Sequence, residues 1–259
     1  MGDGHQLLMH ALPGLPDVRA GDDVAALILA ALPRAGLALD DGDILIIAHK
    51  IISKAEGRLV RYVDVTPSDE AIKLGTSIRK DPRRVELILR ESKRIIRAVD
   101  RAGLPEGILI TEHRLGFISA NAAIDESNIG ESNAALLLPV DPDASARALR
   151  KIIEAATGKT IGVLICDTFG RPWRIGHVNV AIGLAGVPAS LDLVGQKDAY
   201  GRTLRVTRPA TADELAAAGG LLMPKDAKCP VVLCSGLQWT PGTDSARDLI
   251  RPREEDLFL

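Results

Sequence analysis

The sequence predicts an α/β protein of the mixed α+β kind, and three observations carry that expectation. Apolar runs of strand length stand at Ile44–Ala48, at Ile161–Cys166 and in "CPVVLCSGL" from Cys229 to Leu237. Patterns of helical spacing lie between them. The two kinds of element follow one another without the strict βα alternation of a doubly wound sheet. With 259 residues the chain can bury a substantial core, in one large domain or two modest ones.

Each element has a local reason. "DVAALILAALPRAG" reads as a short helix, with Asp22 or Asp23 as N-cap and Pro33 near its end. "GDILIIAHKIISKAEG" holds the buried strand Ile44–Ala48, with His49 and Lys50 at its end and a second apolar pair, Ile51-Ile52, before Ser53-Lys54. From Ser68 to Arg101 the spacing of Val85, Ile88, Leu89, Ser92, Ile95, Ile96 and Val99 predicts helix, with Pro82 suited to a first turn. The other face of that segment carries Arg83, Arg84, Arg90, Lys93, Arg94 and Arg97, either a solvated face or a dock for an anion. A boundary between two intertwined subdomains is expected near residues 65–105, within a single unit spanning 1–259.

"GILITEHRLGFISANAAIDESNIG" reads as two strands joined by a turn around Glu112-His113, then a loop with Asp125 to Asn128. "DPDASARALRKIIEAATG" is a helix started by Asp141 or Asp143 and closed by Gly158. The glycine-rich stretch after Asn179 predicts strands and tight turns, "TADELAAAGGLLM" opens with a capping box from Thr211 to Glu214, and the residues from Trp239 onward form a polar tail.

Several function classes lose support. A formal net charge of −2 provides no global field for nucleic acid or membrane, and 3% aromatic content leaves few platforms for stacking bases. No apolar run reaches the roughly 20 residues of a membrane span. The N-terminus has no basic segment followed by an apolar one, so no signal peptide is expected. Three cysteines without framework spacing argue for a reducing compartment, the cytoplasm. Gly158-Lys159-Thr160 imitates the tail of a phosphate-binding loop, but Ile153 occupies the place of the required first glycine and the order is helix to strand. No G-x-G-x-x-G follows a strand, so neither a P-loop nor a Rossmann fold is expected. The histidines and cysteines show no spacing suited to zinc.

The chemistry-bearing residues are oxygen donors and cations. Asp167-Thr168 ends a buried strand, where a carboxylate either caps a turn or serves a cation. With Asp125 and Asn128 of "AIDESN" it forms two oxygen-bearing clusters suited to a hard ion such as Mg²⁺ or Mn²⁺, which usually carries substrate phosphates. Lys54, just past a strand, is either a phosphate ligand or a solvated lysine. Arg171 and Arg174 offer forked donors for carboxylate or phosphate.

Strings in this order, "GLPDVRAGDD", "HKIISKAEGR", "RLGFISANAAIDESNIG", "LLPVDPDASARALR", "ICDTFGRPWRIG", "AIGLAGV", "GQKDAYGR" and "TADELAAA", resemble the coenzyme F420-0:L-glutamate ligase family from about Leu12 to Leu237. The resemblance implies a family-specific α/β fold, a homodimer, and a GTP- and metal-dependent amide ligase. Such an enzyme phosphorylates a carboxylate of coenzyme F420-0 and lets L-glutamate displace the phosphate, with further γ-linked glutamates added in turn. By the same resemblance, Leu15, Pro16, Asp17 and Val18 match a nucleotide-contacting segment, as do His49 and Lys50, where archaeal relatives have small hydroxyl residues. Lys54 matches the phosphate-binding lysine and Asn128 a nucleotide-contacting asparagine. Asp125 and Asp167 match ligands of one metal ion and Thr168 a ligand of a second, so Asp125, Asp167 and Lys54 become the catalytic candidates. Met223, Pro224 and Lys225 fall in a further nucleotide loop that is glycine-rich and acidic in archaea. Lys225 stands near the position of a metal-binding glutamate, and a protonated lysine cannot ligate a cation. Either Asp226 takes over, the second site is weaker, or Lys225 replaces the ion's charge against phosphate. A ligase for another carboxylate acceptor and a non-catalytic nucleotide sensor are the rival readings.

Overall fold

The computed structural model describes residues 6–100 and 103–256. In chain order the elements are β1 (Leu8–Ala11), α1 (Val24–Arg34), β2 (Ile44–Ala48), α2 (His49–Ala55), β3 (Leu59–Arg61), α3 (Asp69–Ile78), α4 (Pro82–Arg90), β4 (Ser92–Val99) and β5 (Ile108–His113). They continue as β6 (Ile118–Ala120), β7 (Ala134–Leu136), α5 (Pro142–Thr157), β8 (Gly162–Arg171), β9 (Arg174–Ala185), α6 (Thr211–Gly220) and β10 (Val231–Ser235).

The main sheet has the order β1-β10-β2-β8-β9, and β2–β8 is its single parallel pair. Ile44 to Ile47 and Val163 to Ile165 are fully buried, so both faces of the central strands are covered, as their unbroken apolar runs require. Register shows by what. Ile47, Ile165 and Gly183 are cross-strand neighbours, and Gly183 lies under the start of α5. Ile46 points the other way, under Gly219 of α6. The sheet is therefore the middle of three layers, and the expected mixed architecture without doubly wound topology holds.

The α5–β9 contact is close enough to test. A Cβ at Gly183 would lie 2.5 Å from the carbonyl carbon and oxygen of Pro142, backbone atoms that cannot swing aside. Gly183→Ala is expected to lose about 1–3 kcal/mol by overpacking. A urea midpoint indistinguishable from the parent would refute this close fit.

Caps resolve two open choices. Asp23, not Asp22, caps α1 by accepting from Ala26 N at 3.0 Å, and Asp141 caps α5 by accepting from Ala144 N at 3.0 Å. Gly158 closes α5 in the left-handed conformation at φ 69°. Asp143 instead turns into the core, accepting from Leu184 N at 2.7 Å, Ser245 Oγ at 2.5 Å and Ala246 N at 3.1 Å.

Between α2 and α5 the chain adds further sheets and helices. Sheets β3-β7 and β4-β5-β6 surround α3 and α4, with a separate small core of Ala71, Ile78, Val85, Ile88, Leu109 and Ala122. Here one expectation fails: residues 68–101 are not continuously helical. Arg79 turns left-handed (φ 56°), Asp81 and Pro82 start a new helix, and Ser92–Val99 is strand β4. Ile95, Ile96 and Val99 are β-branched and fit a pleated surface better than a helix, and the spacing that looked helical arose across a helix–strand junction. Five of the six basic residues on that face are answered from within: Arg83 pairs with Asp81, Arg84 with Glu106 and Glu126, Arg90 with Glu86, and Lys93 and Arg94 with Glu112.

Three smaller expectations are corrected. The β5–β6 turn falls at residues 114–117, where His113 N bonds Phe117 O at 2.8 Å. The Thr211–Glu214 capping box does not form. Ala210 is the N-cap of α6, Thr211 already lies in the first turn, and Asp213 accepts instead from Ala181 N at 2.9 Å. Nor is the tail after Trp239 a loose polar one. Trp239 Nε1 donates to Gly42 O at 2.7 Å, Ala246 is fully buried, and Leu249 and Ile250 pack on the main core.

Candidate functional site

The site forms where β2 passes directly into α2. Ala48 is extended (φ −65°, ψ 131°) and His49 is already helical, a two-turn helix that the apolar pair Ile51-Ile52 pins to the core. Because Ala48 pairs in parallel with Cys166 of β8, the next residues of the two strands, His49 and Asp167, emerge side by side. His49 is 1% exposed; its Nδ1 is 3.1 Å from Ser53 Oγ, one turn on. Its Nε2 stands 3.3 Å from Asp167 Oδ1 but off the line of a hydrogen bond.

Asp167, 9% exposed, accepts from the Thr168 amide on Oδ1 at 2.6 Å. Thr168 Oγ1 donates to Asn179 Oδ1 at 2.9 Å, directly across the β8–β9 ladder, and Asn179 Nδ2 donates to Cys166 Sγ at 3.6 Å. Gly220 at the end of α6 leaves room for Asn179, since a Cβ there would lie 2.8 Å from its Nδ2.

The second corner is the loop after β6. Asp125 exchanges backbone hydrogen bonds with Leu136 of β7, and its Oδ1 accepts from Ser127 N at 2.7 Å and Ser127 Oγ at 2.8 Å. Oδ2 is ion-paired with Lys50 Nζ, which also donates to Ser127 O at 2.7 Å and Ser127 Oγ at 3.2 Å. Lys225 Nζ reaches the same hydroxyl at 3.4 Å, and Asn128 Nδ2 donates to the Lys225 carbonyl at 2.9 Å. The hydroxyl of Ser127 thus gives its proton to Asp125 and its lone pairs to two ammonium groups. Burial pushes the Asp125 carboxyl up, but Lys50 and Ser127 outweigh it and hold it below its ordinary value. Next to it, Glu126 is gripped by Arg84 and by the Tyr62 hydroxyl.

The structure therefore gathers His49, Lys50, Asp125, Asn128, Asp167, Thr168 and Lys225 around the start of α2. Lys54 lies on the same helix one turn beyond Lys50, half-buried, with no ion-pair partner among the described residues. The Leu15–Val18 segment runs alongside: Leu15 and Val18 pack on the main core, and Gly21 N bonds Ala55 O at the end of α2 at 2.9 Å. Met223 and Pro224 lead from α6 to Lys225, with Met223 packing on the core. Arg171 and Arg174 are not brought in. They face each other at the tip of the β8–β9 hairpin, and four residues of strand at about 3.3 Å each carry Arg171 about 13 Å along from Asp167. Ser127 and Asn179 were not singled out in the sequence. Asn179 becomes visible only when the hairpin register is known, and Ser127 only when Lys50 and Lys225 are seen to converge on it.

These donors fit a hard divalent ion in one particular way. Among the described residues no three His, Cys, Asp or Glu side chains form a metal cage. Asp125, Asp167 and Thr168 supply oxygen alone, and Asp167 Oδ2 takes no hydrogen bond among the described residues. One or two carboxylates completed by substrate phosphates and water is how Mg²⁺ is usually held.

Fold and site together define a mixed α+β protein that gathers carboxylate, hydroxyl and ammonium groups at the carboxyl ends of two parallel strands. The family model of F420-0:gamma-glutamyl ligase matches residues 14–236. The chain is 45% identical over 248 residues to the coenzyme F420:L-glutamate ligase of Methanothermobacter thermautotrophicus, covering 95% of this chain and 96% of that one. Identity to the enzymes of the same name is 42% in Methanocaldococcus jannaschii, over 94% of each chain, and 41% in Methanopyrus kandleri, over the whole of each. This chain belongs to the F420-0:gamma-glutamyl ligase family, as its motifs led us to expect.

Proposed function

We propose that the protein attaches L-glutamate to the carboxylate of coenzyme F420-0 at the expense of GTP, with Mg²⁺ or Mn²⁺, acting in the cytoplasm as a homodimer. What carries the reading is the meeting of Asp167-Thr168 with Asp125–Asn128 at the start of α2, in a chain matched along its whole length by glutamate ligases. The acceptor carboxylate takes the γ-phosphoryl group of GTP, giving an acyl phosphate and GDP. The amine of L-glutamate then attacks the acyl carbon, an amide forms, and phosphate and a proton leave. Asp125, Asp167 and Thr168 would hold the divalent ion, whose charge would neutralise the phosphoryl group. Lys54 and Lys225 steady the phosphates as point charges. Asn128 fixes the backbone of the Lys225 loop. The three cysteines are free, and burial pushes the thiols of Cys166 and Cys234 up to about 12 and about 11, so neither enters the chemistry.

The direct test is mass spectrometry after incubation with F420-0, GTP, L-glutamate and Mn²⁺ or Mg²⁺. GTP-dependent gain of one or more glutamyl units is expected. Metal-dependent GTP binding without that gain would remove the acceptor from the reading. Lys54→Ala is expected to lower kcat/KM for GTP about 10- to 100-fold, the worth of a charged hydrogen bond; steady-state kinetics would check it.

A further inference from the structure

The carboxylates proposed as metal ligands are already faced by nitrogen-bearing side chains from consecutive residues of one helix, His49 and Lys50, and at Asp125 the lysine ammonium and a divalent ion compete for one oxygen. Asp125 is fixed. Ser127 holds its Oδ1 twice, Arg84 and Tyr62 grip the neighbouring Glu126, and Asn128 ties the loop to Lys225. Lys50 is not fixed in this way. It reaches Oδ2 on a flexible four-carbon stem, its side chain is 22% exposed, and among the described residues its polar contacts are to Asp125 and Ser127. An ammonium and a divalent ion held on the same oxygen repel each other at close range, so each weakens the other's hold on Oδ2. If one must leave, the lysine is the group free to move. A destination is at hand: Lys50 and Lys225 converge on the Ser127 hydroxyl at 3.2 and 3.4 Å, two positive charges against one carboxylate, a surplus that an arriving phosphate would answer.

We infer that Lys50 is an exchangeable counter-ion: it closes Asp125 to divalent cations while the nucleotide site is empty, and moves to phosphate when nucleotide arrives. Resting on Asp125 as a metal ligand, as proposed above, this makes Lys50 a positioning residue that couples the two bindings. Nucleotide raises metal affinity, and metal raises nucleotide affinity by the same factor.

The test is direct Mn²⁺ binding to the full chain without nucleotide, read by the electron paramagnetic resonance of free Mn²⁺. Binding of a fluorescent GDP analogue with and without Mn²⁺ is measured in parallel. K50M keeps the stem and removes the charge; it is expected to bind Mn²⁺ about tenfold more tightly without nucleotide and to lose a similar factor of coupling, within the usual range of about 5–150-fold. K50R is expected to behave as the parent, and the gain in K50M to vanish in K50M/D125N. If K50M gains nothing while D125N abolishes metal-promoted GDP binding, Asp125 stands as a ligand and the exchange is overturned. If D125N leaves metal-promoted GDP binding intact, Asp125 is no ligand and the exchange falls with it.

Discussion

Glu91→Ala is expected to lower the unfolding free energy by about 3 kcal/mol, the cost of leaving two half-buried arginines without their partner. Glu91 caps the end of α4 and is 8% exposed. Its Oε1 lies 2.8 Å from Arg58 Nη2 and its Oε2 3.0 Å from Arg114 Nε, with His113 Nε2 at 3.4 Å. Each arginine extends the tie. Arg58 Nε donates to Leu138 O at 2.9 Å, while Arg114 donates to Pro139 O at 2.9 Å and Val140 O at 2.7 Å. One carboxylate thus joins α4, the approach to β3, the β5–β6 turn and the segment entering α5. Burial pushes its pKa up, but His113, Arg58 and Arg114 outweigh burial and bring it from 4.5 down to about 2. The folded value lies below the unfolded one, so this stabilisation is full above about pH 4.5 and is lost as pH falls towards 2. It amounts to roughly 3 kcal/mol at neutral pH. Urea unfolding of the parent and of Glu91→Gln between pH 2 and pH 7 should converge at the acid end and separate above it. Parallel curves would show that the carboxylate charge does not hold this junction.

Asp167→Asn is expected to reduce glutamylation about 10³-fold, the rate equivalent of several kcal/mol of lost charge stabilisation. Stability should stay within about 1 kcal/mol of the parent, because no lysine or arginine among the described residues pairs with this carboxylate and the amide has nearly the same shape. Initial rates with saturating GTP, beside the thermal midpoint, separate the two effects. A variant that retained a tenth of the activity would exclude Asp167 from the charged machinery. A variant that lost activity only together with its fold would make the residue structural.

What could be read from the chain was what local chemistry decides. The runs at Ile44–Ala48 and Ile161–Cys166 became adjacent central strands because only strands buried on both faces are apolar without alternation. The helix at 142–157 had both its capping aspartate and its closing glycine in the sequence. What could not be read was decided by distant partners. The Ser92–Val99 segment is a strand because β5 pairs with it. The Thr211 hydroxyl does not cap because Asp213 and the Ala212 amide, both in the first turn of α6, are already engaged by β9 and Ala189. The tail is ordered because Asp143, over 100 residues earlier, receives Ser245 and Ala246. The site divides along the same line. Asp125, Asn128, Asp167 and Thr168 stood out by their motifs, whereas the contact of Lys50 with Asp125 exists only after β2, β7 and the loop following β6 have assembled.

The sheet order β1-β10-β2-β8-β9 also has a consequence during synthesis. β2 is made early, yet both strands that pair with it, β8 and β10, follow much later in the chain. At about 5–20 residues per second the nascent β2 waits on the order of 10–40 s for its last neighbour, with a fully apolar edge unpaired. The intervening residues, whose strands and helices pair largely among themselves, can close their own small cores in that interval. Folding is therefore expected to begin in the middle of the chain and end with β10, and ribosome-bound chains stopped short of residue 231 should be the ones that chaperones hold.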